Sequence, residues 1–422
     1  MPEIKPDIET FAKIKVIGIG GGGNSAVNRM IEARIKGVEF YALNTDIQAL
    51  HYSLAPEKLH LGKTITRGLG AGMDPEVGRK AAEESQNEIR EAISGADMLF
   101  LTCGMGGGTG SGGIPVVAQI AKELGVLTVA IITKPFGFEG VPRSKIAEEA
   151  INLLKERVDT IITIPNDKIL NIIDQKTSIL DAFKIVDEIL RQGVQGISEL
   201  ITVAGVINVD FADVRTIMQN TGSALMGMGH ATGDNRAAEA AKLAISSPLL
   251  ELSINGAKGV LFNISGGPNL TMYEVNEAAR IITESADPGA KVIFGAVINE
   301  ELRDELKITV IATGFDGKDL KQQIPAQVKS ERVSFSQPQK DYFSAPKQAF
   351  NPVQTQRFSP PPSDENIENK TDAPKVLDMS KFRKEYSNNS QPVLEDFDLE
   401  EDTQSKESDD LEIPAFIRRK MM

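Results

Sequence analysis

Apolar residues in the first 316 positions come as short unbroken runs separated by stretches of helical period. Ile14-Lys15-Val16-Ile17-Gly18 reads as a buried strand, and 24–34 as the helix that follows it. A second strand is predicted over 38–43, a third over 96–102 (ADMLFLT), and a helix over 114–124 behind it. The runs 126–133 and 160–164 predict further strands. Strands that are apolar throughout and alternate with helices imply a parallel sheet covered on both faces. Phe183, Val186, Leu190, Val194, Ile197 and Leu200 then recur at three- and four-residue steps, the stripe of one long helix. Beyond it, 259–264, 292–298 and 308–312 predict strands of a second, smaller layer.

The pattern then stops. All 37 glycines lie at or before Gly317, whereas 10 of the 21 prolines follow it. Pro360-Pro361-Pro362 and the stretch Glu395 to Glu412, with ten acids and one lysine, bury too little apolar area to offset ordering entropy. A disordered tether is expected here, with an end-to-end distance of about 50–60 Å for roughly 93 residues. The last dozen residues change again: Leu411, Ile413, Phe416 and Ile417 are apolar and Arg418-Arg419-Lys420 follow.

Composition narrows the function. No window approaches the roughly 20 apolar residues of a membrane helix. Glu3, Asp7 and Glu9 stand where a secretory leader would carry an apolar core, so export is not expected. Cys103 is the single cysteine, and His51, His60 and His230 lie far apart, so neither a disulfide scaffold nor a zinc site is expected. A net charge of −13 argues against nucleic acid as a partner. A cytoplasmic protein is the expectation.

The chemistry is carried by two glycine-rich loops. Gly18-Ile19-Gly20-Gly21-Gly22-Gly23-Asn24 lies between a predicted strand and helix, where glycines admit a phosphate to backbone N–H groups and the helix dipole. Gly18, Gly20 and Gly23 also fit the dinucleotide fingerprint, with Glu39 as the ribose acid, and a tight turn alone is a third reading. Gly104-Met105-Gly106-Gly107-Gly108-Thr109-Gly110-Ser111-Gly112 repeats the arrangement after another strand. Two such helix starts on one sheet edge grip a polyphosphate from two sides, for which a dinucleotide fold has no use. The lysine-bearing phosphate loop is absent, since Gly62-Lys63-Thr64 would need a glycine where Glu57 stands.

The motifs GGGGN at 20–24, NTD at 44–46, GMGGGTGSG at 104–112, PFGFEGVPR at 135–143, PND at 165–167 and NVDFADV at 208–214 together resemble the tubulin/FtsZ GTPase family, and within it the bacterial cell-division members. The resemblance spans about 12–316 and returns in the final dozen residues. It implies an α/β fold: a Rossmann-like parallel-sheet GTP-binding domain at 12–177 after a flexible 1–11, a connecting helix at 178–200 and a smaller α+β domain at 201–316. A disordered linker at 317–410 and a partner-binding peptide at 411–422 would follow.

The resemblance also assigns roles. Gly21, Gly22, Gly23, Asn24 and Ser25 would lie at the phosphates of GTP or GDP, with Ser25 in place of a frequent Asn. Gly107, Gly108, Thr109 and Gly110 would surround the β- and γ-phosphates. Glu139 and Arg143 would serve the ribose and phosphate edge; by spacing alone they are an i,i+4 surface pair at a helix start. Asn166 would be an exposed amide or a helix cap. Phe183 would stack on the base or join the core, and Asp187 would accept from guanine N1–H and N2–H, donors that adenine lacks. Asn208, Asp210 and Asp213 would reach the pocket of the next subunit and polarise the attacking water; an isolated DxxD is otherwise a capping variant. Magnesium would ride on the phosphates rather than on side chains.

Such head-to-tail contacts build filaments, here of a division ring at midcell beneath the inner membrane. The peptide of Leu411, Ile413, Pro414, Phe416, Ile417 and Arg418 would dock on membrane tethers and regulators without inserting in the membrane itself. Two other classes stay open at this point: a nicotinamide-dependent oxidoreductase, and a tubulin-like scaffold that binds GTP without hydrolysing it.

Overall fold

The computed structural model describes residues 12–315 apart from 171, 172, 175, 204 and 248–253. The linker and the terminal peptide expected at 317–422 lie outside the described residues, as does the N-terminal segment 1–11.

Six parallel strands form the first part of the sheet: β1 (Ile14–Ile19), β2 (Val38–Asn44), β3 (Glu57–His60), β4 (Met98–Gly104), β5 (Leu127–Lys134) and β6 (Thr160–Pro165). Alternate side chains of each central strand enter opposite cores. Val16, Phe100, Val129 and Ile162 pack on the face of helix Gly20–Glu32 and the long helix Ile179–Thr202. Ile17, Leu101 and Ile132 pack on the other face, under helix Gly108–Glu123. Burial on both faces is why these strands read as continuous apolar runs.

The second part does not form a separate layer. β7 (Gly222–Thr232) pairs with β6 in parallel through its first residues and with β10 (Glu305–Thr313) in antiparallel fashion through the rest. With β8 (Gly259–Gly266) and β9 (Lys291–Ile298) this gives one ten-stranded order, β3-β2-β1-β4-β5-β6-β7-β10-β8-β9. Helices Arg236–Ile245 and Met272–Glu284 complete the α+β portion.

The long helix starts at Ser178, whose hydroxyl accepts from Asp181 N (3.1 Å). Its 24 residues make it about 36 Å long at 1.5 Å per residue. Both glycine-loop helices begin earlier than the sequence predicts. The first starts at Gly20 rather than 24, and the second at Gly108 rather than 114. Poor glycine propensity is overridden there by close packing. A Cβ on Gly23 would lie 2.5 Å from Thr102 O, so the first helix turn rests directly on β4.

Candidate active site

The C-terminal ends of β1, β4, β5 and β6 open into a cavity of about 360 Å³. Both glycine loops line it, through Gly20, Gly21 and Gly22 on one side and Gly107, Gly108, Thr109 and Gly110 on the other. Two helix N-termini thus point free N–H groups and positive dipole ends at one space, the arrangement an anionic polyphosphate needs. A Cβ on Gly21 or Gly107 would meet no protein atom within 4 Å, so these backbones are open to a ligand.

The cavity collects side chains from distant segments. Glu139 closes a short turn, Gly137–Glu139, and accepts from Phe136 N (2.9 Å). Arg143 stands on the next helix, Val141–Lys155, and donates through Nη1 to Glu139 Oε2. The pair exists as expected, but Gly140, at φ +98°, separates its members into two elements rather than one helix. Asn166 departs further from expectation. It is 4% exposed, Pro165 rather than Asn166 caps the short helix Asn166–Ile169, and Oδ1 has no hydrogen-bond partner among the described residues. Asn166 lines the cavity, and an amide oxygen left buried without a donor is costly.

Phe183 and Asp187, one turn apart on the long helix, form the remaining wall. Phe183 is only partly covered and meets the buried Phe136 edge to face, centroids 5.5 Å apart. The Asp187 carboxylate accepts no hydrogen bond among the described residues. Burial pushes its carboxyl up to about 6, against a smaller opposing pull from Arg29.

Three of the glycine-loop residues expected at phosphates do not line the cavity. Gly23 is a packing position. Asn24 is buried, and in the amide orientation that satisfies its surroundings it donates to Gly18 O (3.0 Å) and Gly20 O (3.2 Å) and accepts from Asn44 Nδ2 (3.1 Å). Ser25 is exposed on the outer side of the helix. Glu39, the acid of the dinucleotide alternative, pairs with Lys15 at 3.8 Å near the start of β2 and is absent from the cavity wall. Residues missed by the sequence reading include Gly72, Thr133 and Pro135, which also line it.

Asn208, Asp210 and Asp213 lie elsewhere. Asp210 caps helix Phe211–Met218, its Oδ1 accepting from Ala212 N (3.3 Å), so the capping role is present. Asn208 Oδ1 accepts from Gly205 N (2.7 Å), and all three side chains are exposed. Arg215 of the same helix donates to Gly125 O (3.4 Å) and Asn220 N to Asp159 Oδ1 (3.2 Å). Gly125 and Asp159 lie two residues before β5 and one before β6, respectively. The acids therefore stand at the N-terminal edge of the sheet, opposite the cavity.

The GTPase domain of the Tubulin/FtsZ family matches residues 13–174, and the C-terminal domain of the FtsZ family matches residues 222–316. An FtsZ dimer from M. jannaschii is 45% identical, covering 73% of this chain and 89% of that one with a TM-score of 0.70. The chain belongs to the FtsZ family. Like other members it is a cytoskeletal GTPase. CetZ2 from Haloferax volcanii, described as a GTPγS-bound protofilament, shares the fold at 22% identity, covering 74% of this chain and 96% of that one (TM-score 0.62). The FtsZ assignment removes the oxidoreductase alternative, as the position of Glu39 already does.

Proposed function

We propose that this FtsZ-family chain assembles head to tail, and that GTP held in one cavity is hydrolysed only when Asn208, Asp210 and Asp213 of the next subunit close over it. The observation that carries this reading is the placement of the acids. Asp187 lines the cavity on the third turn of the long helix, and Thr202 ends that helix. The 15 steps between them span about 22 Å, and the acids lie beyond Thr202. No rearrangement of side chains brings them to the cavity of their own chain. A second copy does so if its N-terminal sheet edge meets this chain's C-terminal sheet edge, a heterologous contact that continues as a filament. The rim supports it: Leu69 and Val141 are 87% and 81% exposed near the cavity, and Val206, two residues from Asn208, is 70% exposed. The M. jannaschii relative is itself described as a dimer.

In the assembled site the glycine-loop N–H groups and the Thr109 hydroxyl bind phosphate oxygens. Arg143, held by Glu139, adds positive charge at the phosphate edge. Phe183 stacks on the base, Asp187 accepts from its N1–H and N2–H, and the Asn166 amide meets the sugar–base side. From the neighbouring chain Asp210 and Asp213 polarise the attacking water and Asn208 positions it. The cavity offers hydroxyl and backbone donors rather than a carboxylate cage, a set that fits Mg²⁺ retained on nucleotide oxygens with its own waters. When bound, the ion neutralises charge developing on the phosphates.

The division of labour follows the boundaries read from the sequence: 12–177 binds nucleotide, 178–200 connects, 201–316 presents the acids, and 317–410 tethers the peptide 411–422. That peptide recruits membrane tethers and regulators, which places the filament in the cytoplasm, at the midcell division ring beneath the inner membrane. Phosphate loss weakens the contact and turns the filament over. GTP turnover per chain measured across a dilution series tests the proposal. A steep rise above a threshold concentration is expected, and constant turnover per chain down to demonstrably monomeric protein contradicts it.

A further inference from the structure

Thr45 is fully buried immediately after β2, in the Asn44-Thr45-Asp46 motif to which no role has been attached. Its Oγ1 lies 2.6 Å from Thr109 Oγ1, the hydroxyl that lines the nucleotide cavity. The segment holding it is braced on every side. Thr45 O accepts from Thr66 Oγ1 (3.2 Å) and Gly70 N (3.3 Å). Asn44 reaches the first glycine loop through Asn24, and Asp46 caps helix Ile47–Tyr52. Thr45 therefore presents a fixed hydroxyl to the second glycine loop.

Each hydroxyl has one proton. Among the described residues Thr109 Oγ1 is the one hydrogen-bond partner of Thr45 Oγ1. If Thr109 donated, the Thr45 proton would be left without an acceptor at a site closed to water, the costly arrangement for a buried donor. If Thr45 donates, Thr109 accepts on one lone pair and its own proton is left for the cavity. We propose that Thr45 is a positioning residue: it donates to Thr109 and so aims the Thr109 proton at a phosphate oxygen of the bound nucleotide. This rests on the reading of Thr109 as a phosphate contact. Chained hydroxyls polarise one another, so the donor that reaches the anion is also strengthened.

The test is a cycle of full-length variants, each checked for wild-type thermal unfolding, with the Kd for GTP and steady-state kinetics as readouts. Thr45→Val keeps the shape and deletes the donor; Thr45→Ser keeps the donor and deletes a methyl. Thr45→Val is expected to weaken GTP binding about tenfold, the cost of misdirecting one hydrogen bond to a charged group, mainly in KM with kcat changed less than about threefold. Thr45→Ser is expected to recover affinity to within about twofold. The double variant T45V/T109V should bind no worse than T109V. Equal losses in Thr45→Val and Thr45→Ser, or additive losses in the double variant, overturn the proposal in favour of simple packing. A loss in T109V with none in T45V also overturns it while leaving Thr109 at the phosphates. Wild-type affinity in T109V removes Thr109 from the phosphates, and the proposal with it.

Discussion

Gly110 packs on Cys103 so closely that a Cβ on the glycine would lie 2.3 Å from the thiol sulfur. Cys103 is fully buried, and burial pushes its thiol up to about 12, so it acts as a small inert core residue beneath the second phosphate loop. The motif glycines thus divide into those that let the loop sit on the sheet and those that face the cavity.

The division has a measurable consequence. Gly110→Ala forces an overpacked contact and is expected to lower stability by about 2 kcal/mol in chemical denaturation. Gly21→Ala meets no protein atom within 4 Å and lies in a helix, so stability should hold or rise by up to about 1 kcal/mol. Nucleotide affinity should nevertheless fall, because the added methyl occupies the approach to the backbone. Wild-type GTP affinity in Gly21→Ala would place the phosphates away from this loop.

Asp187 is expected to make GTP binding sensitive to pH. Burial raises its carboxyl to about 6, and guanine N1–H and N2–H need the ionised form as acceptor. Affinity for GTP should be constant above about pH 7 and fall about tenfold per unit below 6. Stability of the nucleotide-free fold runs the other way. The folded-state pKa lies above the ordinary carboxylate value, so ionised Asp187 is a penalty that grows as pH rises from about 4 to 6 and is absent at lower pH. Asp187→Asn should remove both dependences; a pH profile of GTP binding unchanged in that variant would assign the titration to another group.

The sequence shows the strands of the nucleotide-binding half because burial on both faces leaves unbroken apolar runs such as Leu99-Phe100-Leu101. β3 escapes because it is a polar edge strand, Glu57-Lys58-Leu59-His60, and β7 because Gly222, Gly227 and Gly229 interrupt its pattern. The predicted second layer fails for the same reason: without β7 nothing joins the two parts of the sheet. Of the site, the two glycine loops are legible as phosphate chemistry from residue type and placement. The roles proposed for Glu139, Phe183 and Asp187 come from family resemblance, since spacing alone favours a surface ion pair and a core stripe. Asn166 looked exposed because Pro-Asn-Asp suits a loop; only the fold shows its buried, unpaired amide oxygen.

Asp213→Ala removes an exposed carboxylate that no described residue hydrogen-bonds through its side chain, so the fold should be unaffected. GTP affinity should match wild type, while turnover falls by a factor on the order of a hundred or more, as for loss of a water-polarising group. Equilibrium binding and phosphate release, measured on the same preparation, separate the two. Normal turnover would take Asp213 out of the reaction.

The division of one active site between two chains is tested most directly by mixing two inactive variants. Asp213→Ala keeps an intact cavity and lacks a working acid loop; Asp187→Ala keeps the acids and lacks base recognition. Each alone should hydrolyse GTP poorly. Mixed in equal amounts, random head-to-tail assembly pairs an intact cavity with intact acids at about one contact in four, so turnover should rise to roughly a quarter of wild type. Turnover in the mixture equal to the mean of the two separate variants would contradict a shared site.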